Sequence, residues 1–323
     1  MRRFLFSSFF SVFALFGFSQ SLTISSGYQT GSYYEIAKDL QDLMGMRTLI
    51  DSVKIDKDSF RIDTTFQNQI TVKTSSGSVQ NFRRVIKSQG EILALMQQDV
   101  LVHQEYQDVK SGGDKTANVR YLLDLGIEHV HLITKADAKI NSLDDLKRKK
   151  VGIGGTDQGT HFTAVQMQKL TGINWTPVTL DVQDCYSALL SDEIDAFFAV
   201  GAIPINKLAL MSEEMSQYIK FVPVVHSSLE KDYATAVIKS ADYTWNKEDV
   251  PTIGTKIYVV HNELRMRPEH QRLLTEFITK VYENQDQMKE DYHQIFKTMN
   301  FTFEKVNTKR ISKTAKRVYG IED

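Results

Sequence analysis

Three stretches of this chain follow one grammar: a short apolar strand, a loop of small residues, then a helix at once. They are "LTISSGYQTGSYYEIAKDL" from residue 22, "ITVKTSSGSVQNFRRVIK" from residue 70 and "KKVGIGGTDQGTHFTAVQMQKL" from residue 149. Units of this kind build parallel sheets with helices packed on their faces, which restricts the chain to the α/β class. In the first unit Ile36, Ala37, Leu40, Leu43 and Met44 fall on one helical face. In the third, a strand over 151–153 enters a glycine loop, and Thr160 or His161 opens the helix. A fourth stretch, "CYSALLSDEIDAFFAVGAIP", reads as helix, turn and a strand ending at Gly201. Each unit starts a helix whose first N–H groups have no intrahelical partner and can take a carboxylate or another anion.

The connections are less regular. Residues 47–68, rich in Asp, Lys and Thr, read as an exposed loop or hairpin. "EILALMQQ" after residue 90 is a buried strand, and "KSGGDK" at 110–115 is a mobile loop by composition. "VRYLLDLGIEHVHLIT" from residue 119 contains a buried strand and the first passage between two lobes. "FVPVV" at 221–225 is a further strand, and "TIGTKIYVVHNEL" from residue 252 crosses back. Residues 268–289 read as one long amphipathic helix with Pro268 in its first turn.

The first residues stand apart from this pattern. Arg2 and Arg3 precede an apolar run over 4–16, and Gly17 and Ser19 give a small-x-small cleavage site, so residues 1–19 read as a secretory signal peptide. The run is shorter than the roughly 20 apolar residues of a spanning helix. Export is compatible with the single cysteine, Cys185, because a chain of this size needs no disulfide staple. The 39 basic and 40 acidic residues balance, which gives no electrostatic footprint for nucleic acid.

Motifs for chemistry are missing. "GIGGTD" lacks the spacing of a dinucleotide fingerprint, and the chain has no P-loop, no G-x-S-x-G elbow and no zinc-protease helix. Asp184 beside Cys185 disfavours a thiolate. His129 and His131 share one strand face, but a third metal ligand is not at hand, so a structural role is expected. No catalytic residue, metal or cofactor is therefore assigned.

Taken in order, "SSGYQTGSYYEIAKDL", "TSSGSVQNFRRVIKSQGEILALMQQDV", "INSLDDLKRKKVGIGGTDQGTHFTAVQMQKLTGI", "SDEIDAFFAVGAIP" and "YTWNKEDVPTIGTKIYVVHNEL" resemble the motifs of the TAXI family, the extracytoplasmic solute receptors of TRAP transporters. Gln158 stands where that family commonly has serine, and Arg148 where it has glycine. The resemblance implies a type II periplasmic-binding-protein fold, with a ligand cleft between two α/β lobes that close by a hinge. Lobe one is expected over 20–131 with 252–323, and lobe two over 132–251. The first loop then contributes Ser26, Gly27, Thr30 and Tyr33 to the cleft, and the second contributes Ser76 and Ser78. Gln97 reaches it from a strand end, Asp157, Gln158, Gly159 and Thr160 from the third loop, and Phe198 as a wall. The implied function is capture of a small polar ligand in the periplasm by a monomer, for delivery to a TRAP-type permease. Helix starts argue for a carboxylate, and Asp99 and Asp157 for an ammonium group, which together suit an amino acid such as glutamate or glutamine. A dicarboxylate, or a signalling partner in place of the permease, remains open.

Overall fold

The structure, a computed structural model, describes residues 21–54, 60–264, 266–304 and 306–322, with the backbone alone over 47–54 and 60–66. The expected signal segment lies outside the described residues. Strand β1 (Leu22–Ser25) leads through the first loop into helix α1 (Ser32–Met44), whose Ile36, Ala37, Leu40 and Met44 are buried as the periodicity requires. Strands β2 (Met46–Lys54) and β3 (Phe60–Asn68) pair antiparallel, so the 47–68 segment is a hairpin. The second unit follows as β4 (Ile70–Lys73), α2 (Ser78–Val85) and β5 (Ile92–Gln97). Next comes α3 (Gln98–Ser111), a helix that periodicity does not reveal. It buries Val100 and Leu101 but exposes Val102, Tyr106 and Val109, so its apolar residues mark no single face.

Strand β6 (Val119–Lys135) then runs 17 residues without interruption. Beyond it lie β7 (Lys150–Gly152), α4 (Gly159–Thr171), β8 (Thr176–Val178), α5 (Val182–Leu190) and β9 (Ala196–Gly201). Two short helices, α6 (Asn206–Ala209) and α7 (Glu213–Ser216), precede β10 (Ile219–Val222) and β11 (Ala234–Ile238). Strand β12 (Val250–Asn262) returns along β6. The chain ends in α8 (Pro268–Glu283), α9 (Gln285–Asp291) and α10 (Lys313–Tyr319). The single helix expected over 268–289 is divided at Asn284. Its backbone leaves the helical region at φ −105°, ψ 17°, and its carboxamide donates to the Lys280 carbonyl at 2.7 Å.

Apart from the β2–β3 hairpin, the strands join into one sheet in the order β4-β1-β5-β12-β6-β9-β7-β8, with β10 and β11 added beside β6 and β12. Strands β4, β1 and β5 are parallel, as are β9, β7 and β8, whereas β12 and β6 run antiparallel to their neighbours. This is the two-lobed α/β architecture expected above. One core gathers the helices around β1, β5 and the far half of β12, including Ile24, Leu40, Phe277 and Phe296. Two others cover the opposite faces of β9, one around Trp175 and Phe198 and one around Phe197 and Tyr243. Because neighbouring strand residues point to opposite faces, Phe197 and Phe198 are divided between those two cores. Among the described residues no helix is long and apolar enough to cross a membrane.

The passage of β6 past β12 needs a glycine. Pairing shifts between Ile257 and Tyr258, leaving Leu125 as an extra residue before Gly126, whose φ is +107°. A Cβ there would meet Thr298 Oγ1 at 2.0 Å. Gly126→Ala combines backbone strain with overpacking and should cost about 2–4 kcal/mol. The urea midpoint checks this, and an unchanged midpoint would contradict the assignment.

Candidate functional site

Three helix starts meet in one place. The loop after β1 ends at Gly31 and the loop after β4 at Gly77; facing them, the loop after β7 ends at Gln158. None of the three residues caps its helix with a side chain. Between them lies a cavity of about 180 Å³. This is where an open α/β sheet is expected to hold a ligand: outside the carboxyl ends of the strands, where β4 and β5 lie on opposite sides of β1.

Each of the three loops is held in place by its own sequence. Gly27 permits a close approach to the first turn of α1, since a Cβ there would lie 2.8 Å from Tyr33 Cβ. Ser26 is buried, and its carbonyl accepts Ser75 Oγ and Asn81 Nδ2, each at 2.8 Å, which ties the first loop to the second. Ser78 Oγ accepts the Gln97 N–H at 3.2 Å and lies 3.1 Å from Tyr33 OH. In the third loop the Gln158 carboxamide oxygen accepts the Gly155 N–H at 2.8 Å. Thr160 Oγ1 accepts the Val200 N–H at 3.0 Å, which joins α4 to the end of β9.

The facing loops touch. Gly77, at φ +131°, packs against the third loop so closely that a Cβ would sit 3.3 Å from Gln158 Cα. Arg83 and Asp157 form a 2.7 Å ion pair at the rim. Asn206 Nδ2 donates to Glu35 Oε1 at 2.5 Å, and Tyr28 OH to Asp181 at 3.4 Å. Deeper, Thr163 donates to Asp99 Oδ2 at 2.6 Å and Tyr233 at 3.3 Å. Burial pushes the Asp99 carboxyl up to about 6, against these bonds and the Val100 N–H, which pull it down.

The cavity also holds a group that the sequence reading passed over. Glu128, in mid-β6, lines it and is 1% exposed. Tyr33 OH donates to its Oε2 at 3.1 Å, and the Gln97 carboxamide and Ala202 N–H also bond to it. Among the described residues no Lys or Arg pairs with it. Burial raises its carboxyl from 4.5 to about 7, and the donors oppose that rise only in part. Beside it, Gln97 Oε1 is buried without any hydrogen-bond partner. Buried acceptors of this kind are rare and call for an explanation.

Of the residues expected at the cleft, Gly27, Thr30, Tyr33, Ser76, Ser78, Gln97, Gln158, Gly159 and Thr160 line this cavity. Three do not. Ser26 is used in bracing the loops, Asp157 is turned outward to Arg83, and Phe198 is buried against Trp175 on the helical side of β9. The wall expected from Phe198 is supplied instead by Ala199, Val200 and Gly201 at the strand end. Ile205, Asn206 and Lys207 were also missed, as they open the four-residue helix α6, which no motif marks. A more apolar hollow of about 580 Å³ adjoins through Thr30, Val182 and Ala199, and Met211 and Met215 line its far side.

His131 takes the structural role expected of it. The Ile205 N–H donates to Tyr243 OH at 2.9 Å, and Tyr243 OH lies 2.8 Å from His131 Nε2. Nδ1 faces the Ala199 carbonyl at 3.2 Å. Both ring nitrogens of one neutral tautomer are thereby satisfied, and burial pushes the ring down to about 3.

Residues 24–312 match the model of a family described as NMT1-like. The chain belongs to the NMT1-like family. Similar solved structures include the periplasmic binding protein BugD, at 11% identity and a TM-score of 0.48 over 85% of this chain and 86% of that one. XAC2383 from Xanthomonas citri bound to ATP is similar at 10% identity and 0.49, over 94% and 98%. An ancestral arginine-binding protein bound to arginine is similar at 13% and 0.47, over 86% and 97%.

The raised Glu128 carboxyl in this NMT1-like chain has a measurable consequence. The folded protein retains a proton that the unfolded chain releases, so this source of stability is complete below pH 4.5 and lost as pH rises through about 7. Glu128→Gln should gain stability relative to the parent as pH rises from about 5 to 8. Paired melting curves test this; a Tm difference that does not change with pH would refute it.

Proposed function

We propose that this NMT1-like protein is an extracytoplasmic solute receptor of the TAXI type. It captures an amino acid such as glutamine or glutamate by closing two lobes, 20–131 with 252–323 and 132–251, and delivers it to a TRAP-type permease. Residues 1–19 direct export and are removed, and the mature chain works in the periplasm as a monomer without cofactor or catalysis. One observation carries this reading: three uncapped helix starts from facing loops converge on one cavity. Their free N–H groups suit a ligand carboxylate. The adjoining hollow lined by Met211 and Met215 gives a side chain room.

Ligand binding should raise the melting temperature. At a hundredfold excess over Kd the stabilisation is about 2.7 kcal/mol. A thermal-shift screen of amino acids against organic acids tests this, and the reading fails if no small molecule in it moves the transition.

Gly159→Ala probes the cavity wall. The residue opens α4, and a Cβ there would lie 1.8 Å from Gln97 Oε1, so the buried carboxamide has to move. The variant should lose about 1–3 kcal/mol of stability and weaken binding at least about tenfold, roughly 1.4 kcal/mol. Calorimetry checks the affinity; undiminished binding would place the site elsewhere.

A further inference from the structure

On the reading of this cavity as a ligand site, we infer that Glu128 and Gln97 form a subsite for a cationic nitrogen, the ammonium group of a bound amino acid. Two acceptors stand side by side in one wall. Glu128 presents a carboxylate that is 1% exposed, and Gln97, 2% exposed, presents a carbonyl oxygen without a donor. Every polar group already bonded to Glu128 is a neutral donor: the Tyr33 hydroxyl, the Gln97 carboxamide and the Ala202 N–H. Among the described cavity residues the one cation is Lys207, and its ammonium donates to the Gln183 carbonyl.

A buried carboxylate without a counter-ion is costly, and the cost disappears if the ligand brings the positive charge. Gln97 Oε1 needs a hydrogen-bond donor for the same reason. An ammonium group offers three donors and a charge in one small group, as in lysine. A ligand hydroxyl offers one donor and leaves Glu128 unpaired. A second ligand carboxylate directed at this wall would meet two acceptors. The subsite therefore selects amino acids over the hydroxy acids and dicarboxylates that the helix starts alone would also accept.

Binding is then linked to protons. The titratable groups facing Glu128 are the Tyr33 phenol on α1 and the Asp99 carboxyl at the start of α3; β12 presents the uncharged Thr255 there. Tyr33 is held neutral, its phenol raised well above its usual value by burial and by Glu128. An ammonium ion takes up the ionised form of Glu128, so its arrival below about pH 7 releases a proton.

The test is calorimetric titration of the intact mature protein with the amino acids that shift its melting temperature, each against its 2-hydroxy acid counterpart and against succinate. The parent should bind the amino acid at least about 30-fold more tightly than the hydroxy acid, and Glu128→Gln should remove most of that preference. At about pH 6, heats measured in buffers of different ionisation enthalpy should show proton release by the parent, which needs no variant. Equal affinity for amino acid and hydroxy acid, tighter binding of succinate, or full affinity in a folded Glu128→Gln protein overturns the subsite and leaves the receptor reading standing. Binding of none of these compounds overturns both.

Discussion

The antiparallel pairing of β6 with β12 holds this molecule together. Their register runs from Gly254 opposite His129 to Asn262 opposite Val119, and both strands serve the cores on either side of the cavity. Four strands pair with it directly: β5 on β12, β9 and β10 on β6, β11 on β12. The strands that lead into the helix starts, β1, β4 and β7, are tied to this pair through β5 and β9. Glu128 lies on that crossing, opposite Thr255 and one residue from the β6–β9 pair His129–Gly201. A carboxylate could hardly be more central, and its position is fixed by backbone rather than by a mobile loop.

The chemistry of the cavity follows from what that geometry leaves unsatisfied. Helix starts without capping side chains concentrate donors and partial positive charge on one side. The wall of β5 and β6 concentrates acceptors. Hydroxyls lie between the two and are largely occupied: Ser78 with Gln97 and Tyr33, Thr160 with Val200. Those hydroxyls brace the loops and strand ends around the cavity. Backbone N–H donors stand on one side and the acceptors Gln97 and Glu128 on the other, the division on which the proposed ammonium subsite rests.

Much of this was legible in the sequence because strand-loop-helix units advertise themselves. The small residues at 26–31, 75–78 and 154–160 mark loops that must reach a helix start without bulk, and nine of the twelve residues read from those loops and strand ends line the cavity. What the sequence hid has physical reasons. Glu128 sits beside His129 and His131, which draw the eye as metal ligands, and nothing local says that an acid within a strand faces a cavity. Asp157 reads as a cleft residue until the Arg83 side chain, 74 positions away, is seen to claim it. Phe198 depends on strand parity: one residue further, and the side chain changes face. Helix α3 escaped because its outer face carries valine and tyrosine.

The lobe closure proposed above poses the remaining energetic question. The contacts across the rim are weak: the Arg83–Asp157 side chains are 60% and 32% exposed, and surface pairs of this kind contribute about 0–1 kcal/mol. The buried contacts are no better as latches, since Asp99 must be stripped of water to meet Thr163 and Tyr233. Within the cavity Gln97 Oε1 is buried without a donor, and among the described residues Glu128 is buried without a cation. On the proposed receptor reading, a ligand that brought a donor and a positive charge would offset those costs in a closed form and would have no comparable effect on an open one. The difference in affinity between the two forms is what moves the equilibrium. On that reading Glu128 and Gln97, more than the contacts across the rim, would make closure depend on the ligand.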